Sequence, residues 1–154
     1  MTGRYDLFGS IVALACSLII ANIIMDLDNF KTLNDTKGHA AGDVLLKEIG
    51  RLLTETFRRL DIIGRFGGDE FVILLKGTAD PLLIRNKYTM IQERLKQLTQ
   101  EQLDIPVTAS FGSVYAEDQT VDAHLLFQQA DTALYEAKRE KKSSCVIKKY
   151  QSET

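Results

Sequence analysis

The spacing of apolar residues changes several times along the chain between a strand-like and a helix-like pattern. Residues 18–27 (LIIANIIMDL) form a short, Ile-rich run that stops at Asp26, and such a run predicts a buried central strand. Residues 43–60 predict a helix, because apolar side chains recur there at helical spacing with charged residues between them. The apolar stripe of this helix consists of Leu45, Ile49, Leu52, Leu53, Phe57 and Leu60.

The second half of the chain continues the alternation. Two apolar runs at 62–66 and 71–75 flank Gly67-Gly68, which predicts a hairpin with a glycine turn. Asp80-Pro81 and Asp122 are typical helix starts, and each is followed by an apolar stripe. Residues 107–114 and 144–148 predict the last two strands.

This order of strands and helices predicts one α/β (α+β) domain over residues 1–150, followed by a loose tail at 151–154. The chain has 154 residues, 45% hydrophobic and 26% charged, which is typical of a globular protein and argues against a disordered or disulfide-framework chain. A net charge of -2 gives no general attraction to nucleic acid. We therefore expect no nucleic acid polymer as a partner.

The stretch from Leu7 to Met25 carries no charge and is long enough to raise the alternative of a membrane span. It is not uniform, however, because Gly9, Ser10 and several Ala suit a partly buried helix over residues 5–17, ahead of the predicted strand. No basic segment precedes it, as one would in a signal peptide. We therefore predict a soluble, cytoplasmic domain without a membrane span.

Carboxylates follow the first strand and the hairpin turn. Asp26 and Asp28 lie where the most hydrophobic strand ends, and Asp69 and Glu70 follow the two glycines. If the hairpin pairs with this strand, these side chains converge at one sheet edge, where hard oxygen ligands suit Mg²⁺ and its phosphate ligands. The alternative is that turns simply favour such residues.

Two further features suit a nucleotide. Gly67-Gly68 lets the backbone approach phosphate oxygens, although adjacent glycines alone more often mean a tight turn. Asn34 and Asp43 offer an amide and a carboxylate, the groups that a guanine edge requires. From the residues alone, an ordinary polar loop with local Asx turns is the preferred interpretation of residues 30–39.

Five sequence blocks resemble, in order, those of the GGDEF family. They are DLDNFKTLND at residues 26–35, GH at 38–39 with GD at 42–43, GGDEF at 67–71, VTASFG at 107–112 and ADTALYEAK at 130–138. Together they span roughly residues 20 to 148, and five ordered blocks are far more specific than a lone GGDEF. The resemblance implies a diguanylate cyclase that condenses two GTP into cyclic di-GMP with release of two pyrophosphates. It also implies a palm-like fold, with a central, mostly antiparallel five-stranded sheet flanked by helices.

The resemblance also implies roles for individual residues. Its metal ligands, for Mg²⁺ or alternatively Mn²⁺, are Asp26, the Leu27 carbonyl, Asp69 and Glu70; Asp69 and Glu70 are also its catalytic carboxylates. Its substrate-binding residues are Phe30, Lys31, Leu33, Asn34, Asp43, Gly67, Gly68, Lys138 and Lys142. Asn34 and Asp43 would read guanine, and the three lysines would neutralise triphosphate charge.

Arg58 and Asp61 match the family's R-x-x-D inhibitory motif, which implies product inhibition by bound cyclic di-GMP. Without the family, an arginine near a helix C-terminus needs no ligand to explain it. The start of the chain departs from the family: Asp6 and Leu7 replace the Asn-Arg pair that ends D-x-L-T-G-L-x-N-R. The glycine usual after the last helix is also replaced.

Each domain would hold one GTP, so the resemblance implies a homodimer as the active species. No sensory or receiver module is predicted in the sequence, so the regulatory domain of such a protein is absent from this chain. The alternative function is a catalytically idle GGDEF domain that binds GTP or cyclic di-GMP as a sensor.

Overall fold

The computed structural model describes residues 19–78, 80–117 and 121–152. In that part, five strands and four helices follow one another along the chain. The strands are β1 (Ile19–Asp28), β2 (Ile62–Gly67), β3 (Glu70–Lys76), β4 (Thr108–Tyr115) and β5 (Cys145–Lys149). The helices are α1 (Phe30–Lys37), α2 (His39–Thr56), α3 (Pro81–Gln102) and α4 (Ala123–Glu140).

The strands form one sheet in the order β2-β3-β1-β4-β5. β1 lies at its centre and pairs antiparallel with both β3 and β4, whereas β5 is parallel to β4. The predicted fold class, a mostly antiparallel five-stranded sheet flanked by helices, is therefore confirmed. The helix expected at residues 5–17 lies outside the described residues.

Each face of the sheet is covered by helices, because its strands are apolar on both sides. On one face, a large core joins β1, β3 and β4 to α1, α2 and α3, with Ile23, Ile49 and Phe111 fully buried at its centre. On the other face, α4 packs over Ile24, Val72 and other apolar side chains. The site described below lies at the end of β1, between these two layers.

The helix predicted at residues 43–60 begins and ends four residues earlier than expected. Gly38, at φ 86°, separates it from α1, so Asp43 lies in the first turns of α2 and does not cap it. Leu60 lies beyond the helix and is 70% exposed, so the prediction that it belongs to the apolar stripe is wrong. Residues 30–37 form α1 instead of a loop, because Phe30 and Leu33 share its buried face.

The remaining element predictions are confirmed to within a few residues. The Asp80 carboxylate accepts the Leu82 amide at 2.8 Å, and the Asp122 carboxylate accepts the Leu125 amide at 2.9 Å, so both residues cap their helices. No helix in the described ranges is long and apolar enough to cross a membrane. Gln151 exchanges two hydrogen bonds with Gln129, and residues 153–154 of the expected loose tail lie outside the described residues.

Candidate active site at the end of the central strand

The end of β1 brings the predicted carboxylates together. In the antiparallel register, Asp26 lies directly opposite Glu70, the first residue of β3. The Leu27 amide donates to the Asp69 carbonyl at 3.2 Å, which holds the hairpin turn against β1. Because the N–H and C=O of one residue in a strand point the same way, the Leu27 carbonyl also faces this turn. The register therefore places Asp26, Leu27, Asp69 and Glu70 next to one another at this end of the β1–β3 pair.

Asp26 has an unusual electrostatic environment. Its side chain is 13% exposed, and the Lys138 ammonium of α4 contacts it at 2.7 Å. Burial raises the pKa of Asp26 to about 6, and the negative charges of Asp69 and Glu70 also raise it, against the opposing effect of Lys138. The carboxylates repel one another at this edge, so a positive charge placed there is stabilised.

Asp28 does not join the other carboxylates, so at most three of the four acidic side chains converge. It is 4% exposed and accepts hydrogen bonds from Thr108, Ser110 and the Ser143 amide. A side chain saturated in this way is not available as a metal ligand. Within the described residues, no three His, Cys, Asp or Glu side chains are arranged to hold a metal ion.

A second part of the site lies where α1 meets α2. Asn34 packs so closely on Gly42 that a Cβ at Gly42 would come within 1.9 Å of Asn34 Oδ1. That oxygen is buried and has no hydrogen-bond partner among the described residues. Asp43, next to Gly42, is exposed. The structure thus brings Asn34 and Asp43 together, as the guanine-binding interpretation requires.

Phe30 and Leu33 form the buried face of α1, and the Phe30 ring also reaches Gly42, because a Cβ there would lie 3.1 Å from Phe30 Cζ. They are 9% and 0% exposed and belong to the large core. Leu33 therefore offers no side-chain surface to a nucleotide, and both residues instead fix α1 against the sheet.

The other predicted phosphate-binding groups come from the β2–β3 turn, the start of α1 and the turn after α4. Gly67 and Gly68 are exposed and have φ 117° and 55°, values that L side chains rarely adopt, which explains the glycines of this turn. Lys31 is exposed at the start of α1. The Lys142 ammonium donates to Asn29 Oδ1 at 3.1 Å, just before α1.

Arg58 and Asp61 lie at the other end of β3, about 20 Å from Glu70 by strand length. The Asp61 carboxylate accepts the amides of Arg58 at 2.9 Å and Lys76 at 3.2 Å, and its side chain is only 2% exposed. The Arg58 guanidinium is 53% exposed and donates to the Lys76 carbonyl at 2.7 Å. Asp61 thus closes the loop between α2 and β2, while Arg58 remains accessible.

Comparison with known proteins identifies the chain. The family model described as "Diguanylate cyclase, GGDEF domain" matches residues 15–144. The chain belongs to the GGDEF family. This GGDEF domain is 37% identical over 122 residues to diguanylate cyclase DgcS of Shewanella oneidensis. The match covers 77% of this chain but 39% of DgcS, so the chain spans about two fifths of that relative's length.

Solved structures give the same family. The active GGEEF domain of a diguanylate cyclase from Vibrio cholerae matches with a TM-score of 0.76 and 26% identity, covering 94% of this chain and 91% of that one. A microbial GGDEF domain, whose structure describes a mode of interaction with cyclic di-GMP, matches with a TM-score of 0.68 and 28% identity. That match covers 95% of this GGDEF domain and 91% of the other chain.

Sequence reasoning missed the residues around Asp28. Thr108, Ser110 and Ser143 are ordinary polar residues in strands and turns, and only their spatial neighbours give them a role. The one available signal was the alternation of β1, which puts Asp28 on the same sheet face as Asp26.

Proposed function

We propose that this GGDEF domain is a diguanylate cyclase that condenses two GTP into cyclic di-GMP and releases two pyrophosphates. The observation that carries the proposal is the buried Asn34 Oδ1, which packs on Gly42, the residue before Asp43, and has no hydrogen-bond partner among the described residues. A buried acceptor without a partner costs free energy unless a ligand donates to it. Guanine supplies such donors through its N1–H and amino group.

The carboxylate edge suits a divalent cation. The negative charges of Asp69 and Glu70 act on Asp26 and raise its pKa, so a cation bound there would be stabilised by these carboxylates. Mg²⁺, or Mn²⁺ as the alternative, would be held by Asp26, the Leu27 carbonyl, Asp69 and Glu70. When bound, the metal supplies charge that stabilises the transition state at the α-phosphate.

The residues of the chain bind and orient the reactants. Asn34 and Asp43 hold the guanine, while Lys31, Lys138, Lys142 and the Gly67-Gly68 amides neutralise the triphosphate. Glu70 accepts the proton of the attacking 3′-hydroxyl, a bond forms from O3′ to the α-phosphorus, and the bond to pyrophosphate breaks. Positioning and charge therefore account for the catalysis, and no covalent nucleophile is needed.

Two domains must face each other for the reaction to finish. Each domain holds one GTP, so each 3′-hydroxyl attacks the nucleotide of the partner domain, and the active species is a homodimer. GTP is a cytosolic nucleotide, which places the proposed activity in the cytoplasm.

Product inhibition fits the exposed Arg58 at the far end of β3. Its guanidinium can bind a guanine edge or a phosphate of cyclic di-GMP. Asp61 supports this arginine through their ion pair at 3.7 Å. Cyclic di-GMP bound there would hold two domains apart.

The decisive experiment incubates the purified protein with GTP and Mg²⁺ and follows pyrophosphate and cyclic di-GMP. We expect both products, with a specific activity that rises with protein concentration as the dimer forms. Asp69→Ala should abolish turnover while leaving the circular dichroism spectrum unchanged, because Asp69 lies in a half-buried turn. GTP binding without product at high protein concentration would contradict the proposal.

That outcome would favour the second candidate, an idle GGDEF domain that senses GTP or cyclic di-GMP. One observation supports this candidate: no three acidic side chains in the described ranges are arranged as a metal site.

A further inference from the structure

Several polar residues join three segments of the chain at the end of β1, beside the proposed active site. We call this group the strand-end clasp; it consists of Asp28, Asn29, Thr108, Ser110, Lys142 and Ser143. It connects the β1–α1 junction with the start of β4 and with the turn between α4 and β5.

Asp28 is the centre of the clasp. Its Oδ2 accepts the Thr108 hydroxyl and the Ser143 amide, each at 2.9 Å, and its Oδ1 accepts the Ser110 hydroxyl at 2.9 Å. A carboxylate is suited to this position because it accepts several hydrogen bonds at once and donates none. Burial at 4% exposure strengthens these hydrogen bonds relative to water.

The clasp also contains the contact of Lys142 with Asn29 and two unusual backbone positions, at Asn29 and Ser143. Asn29 and Ser143 have φ 65° and 62°, in the left-handed region that non-glycine residues adopt uncommonly. Such conformations persist where the surrounding contacts determine them. Ser143 is held from both sides, since its amide donates to Asp28 and its hydroxyl accepts from Gln92 at 3.0 Å.

We propose that Asp28 is a positioning residue, which through the clasp sets Lys142 and α1 relative to Asp26. The inference rests on the proposed function. Asp26 lies two residues before Asp28 on the same strand, and α1, which carries Asn34, starts two residues after it. The clasp therefore lies between the guanine-binding, phosphate-binding and carboxylate parts of the site. Misplacing such groups by about 1 Å costs roughly 100-fold in rate.

The chain offers a matched pair of variants for the test. Ser110 and Ser113 both lie on β4, are fully buried and donate one hydroxyl to β1, but Ser110 contacts Asp28 whereas Ser113 contacts the Asn22 carbonyl at 3.1 Å. Ser110→Ala should lower kcat about tenfold or more with KM for GTP within about threefold, as expected for lost positioning. Ser113→Ala should change kcat by less than about twofold.

Ser110 lies opposite Asp26 in the register, so Ser110→Ala could also act on Asp26 directly. A second pair of variants, at Thr108, separates the two effects. Thr108 lies opposite Asp28 instead, so Thr108→Val removes only the clasp hydroxyl and Thr108→Ser keeps it. We expect Thr108→Val to lower kcat and Thr108→Ser to restore it. In metal-free protein, Ser110→Ala and Thr108→Val should also speed hydrogen exchange of the Ser143 amide, whereas Ser113→Ala should not.

Asp28→Asn is the stronger variant, and the single-hydroxyl variants decide the question if it fails to fold. Equal losses of kcat in Ser110→Ala and Ser113→Ala, or no rescue by Thr108→Ser, would overturn the positioning role while the proposed function stands. A wild-type protein that forms no cyclic di-GMP would instead overturn the proposed function, and the positioning role with it.

Discussion

At the scale of single residues, two polar groups of this GGDEF domain are buried where burial costs free energy. Asn34 Oδ1 is buried without a partner in the described part of the chain, and Asp26 is a carboxyl whose pKa burial raises to about 6. Both costs are borne by the ligand-free protein, and a bound nucleotide and cation would relieve them. Two substitutions test whether these costs are linked to function.

Asn34→Ala should weaken GTP binding about 10–100-fold, because about 1–3 kcal/mol of hydrogen bonding to a buried group is lost. The unfolding free energy of the ligand-free protein should barely change, since Asn34 Oδ1 has no partner to lose among the described residues. Titration calorimetry with GTP and urea denaturation measure the two effects. Asp35→Ala, an exposed neighbour on α1, is the control, and equal affinities for GTP in the two variants would contradict the guanine-binding role.

Asp26→Asn should stabilise the metal-free protein at neutral pH and abolish turnover. The pKa of Asp26 is 3.8 when unfolded and about 6 when folded, so the folded state binds the proton more tightly. The unfolding free energy of the wild type therefore falls by about 1–3 kcal/mol as pH rises from about 4 to 6 and Asp26 loses its proton. An asparagine at this position would carry no charge at any of these pH values, so the variant avoids this loss.

Urea denaturation in EDTA, at pH 4 and pH 7.5, measures the unfolding free energies of the variant and the wild type. The variant should exceed the wild type in stability at pH 7.5 and match it more closely at pH 4. A variant less stable than the wild type at pH 7.5 would show that the ion pair with Lys138 outweighs burial.

At the scale of elements, the docking of α4 on the sheet depends on one glycine. A Cβ at Gly112 of β4 would lie 2.1 Å from the Leu134 amide nitrogen and 2.4 Å from the Ala130 carbonyl oxygen. Both are backbone atoms and cannot move aside without shifting the helix. Since α4 carries Lys138, this contact also sets the position of the cation that reaches Asp26.

Gly112→Ala should therefore lower the unfolding free energy by about 2–4 kcal/mol, the effect of a strongly overpacked core position. Gly50→Ala is the matched control, because Gly50 lies within α2 with open space around it, and alanine should stabilise that helix by about 0.5–1 kcal/mol. Chemical denaturation measures both. A Gly112→Ala protein as stable as the wild type would contradict the close contact of α4 with β4.

The elements themselves were largely predictable from the sequence, because their signals are local. The Ile-rich run of β1, the glycine hairpin and the caps at Asp80 and Asp122 each depend on a few neighbouring residues. The boundary at Gly38 was missed, because a polar segment hides the buried pair of α1. The role of Asp28 was unpredictable, because its partners come from residues 108, 110 and 143, far away along the chain.

At the scale of the whole molecule, the proposed catalytic residues and the proposed inhibitory site lie at opposite ends of β3. Glu70 begins the strand at the carboxylate edge, and Lys76 ends it beside Arg58 and Asp61. Under the proposed function, product bound at Arg58 would therefore not compete directly for the guanine-binding residues, and inhibition would act on how two domains meet.

Arg58→Ala should relieve inhibition by added cyclic di-GMP without lowering the initial rate. The guanidinium is half-exposed and donates to one backbone carbonyl, so its loss should cost less than about 1 kcal/mol of stability. Initial-rate assays over a range of added cyclic di-GMP measure the effect. Arg51→Ala, an exposed arginine on α2, serves as the control, and an unchanged inhibition curve for Arg58→Ala would argue against the site.

The central position of β1 also has a consequence for how the protein is made. β1 is the first strand of the described chain, yet its partner on one side, β4, comes far later: Asn22 accepts a hydrogen bond from Ser113, 91 residues away. Pairings so distant along the chain close slowly, and the Ile-rich strand stays unpaired on that edge while the intervening residues leave the ribosome. The strand that carries Asp26 is therefore prone to aggregation in the nascent protein, and we expect a chaperone to protect it before β4 emerges.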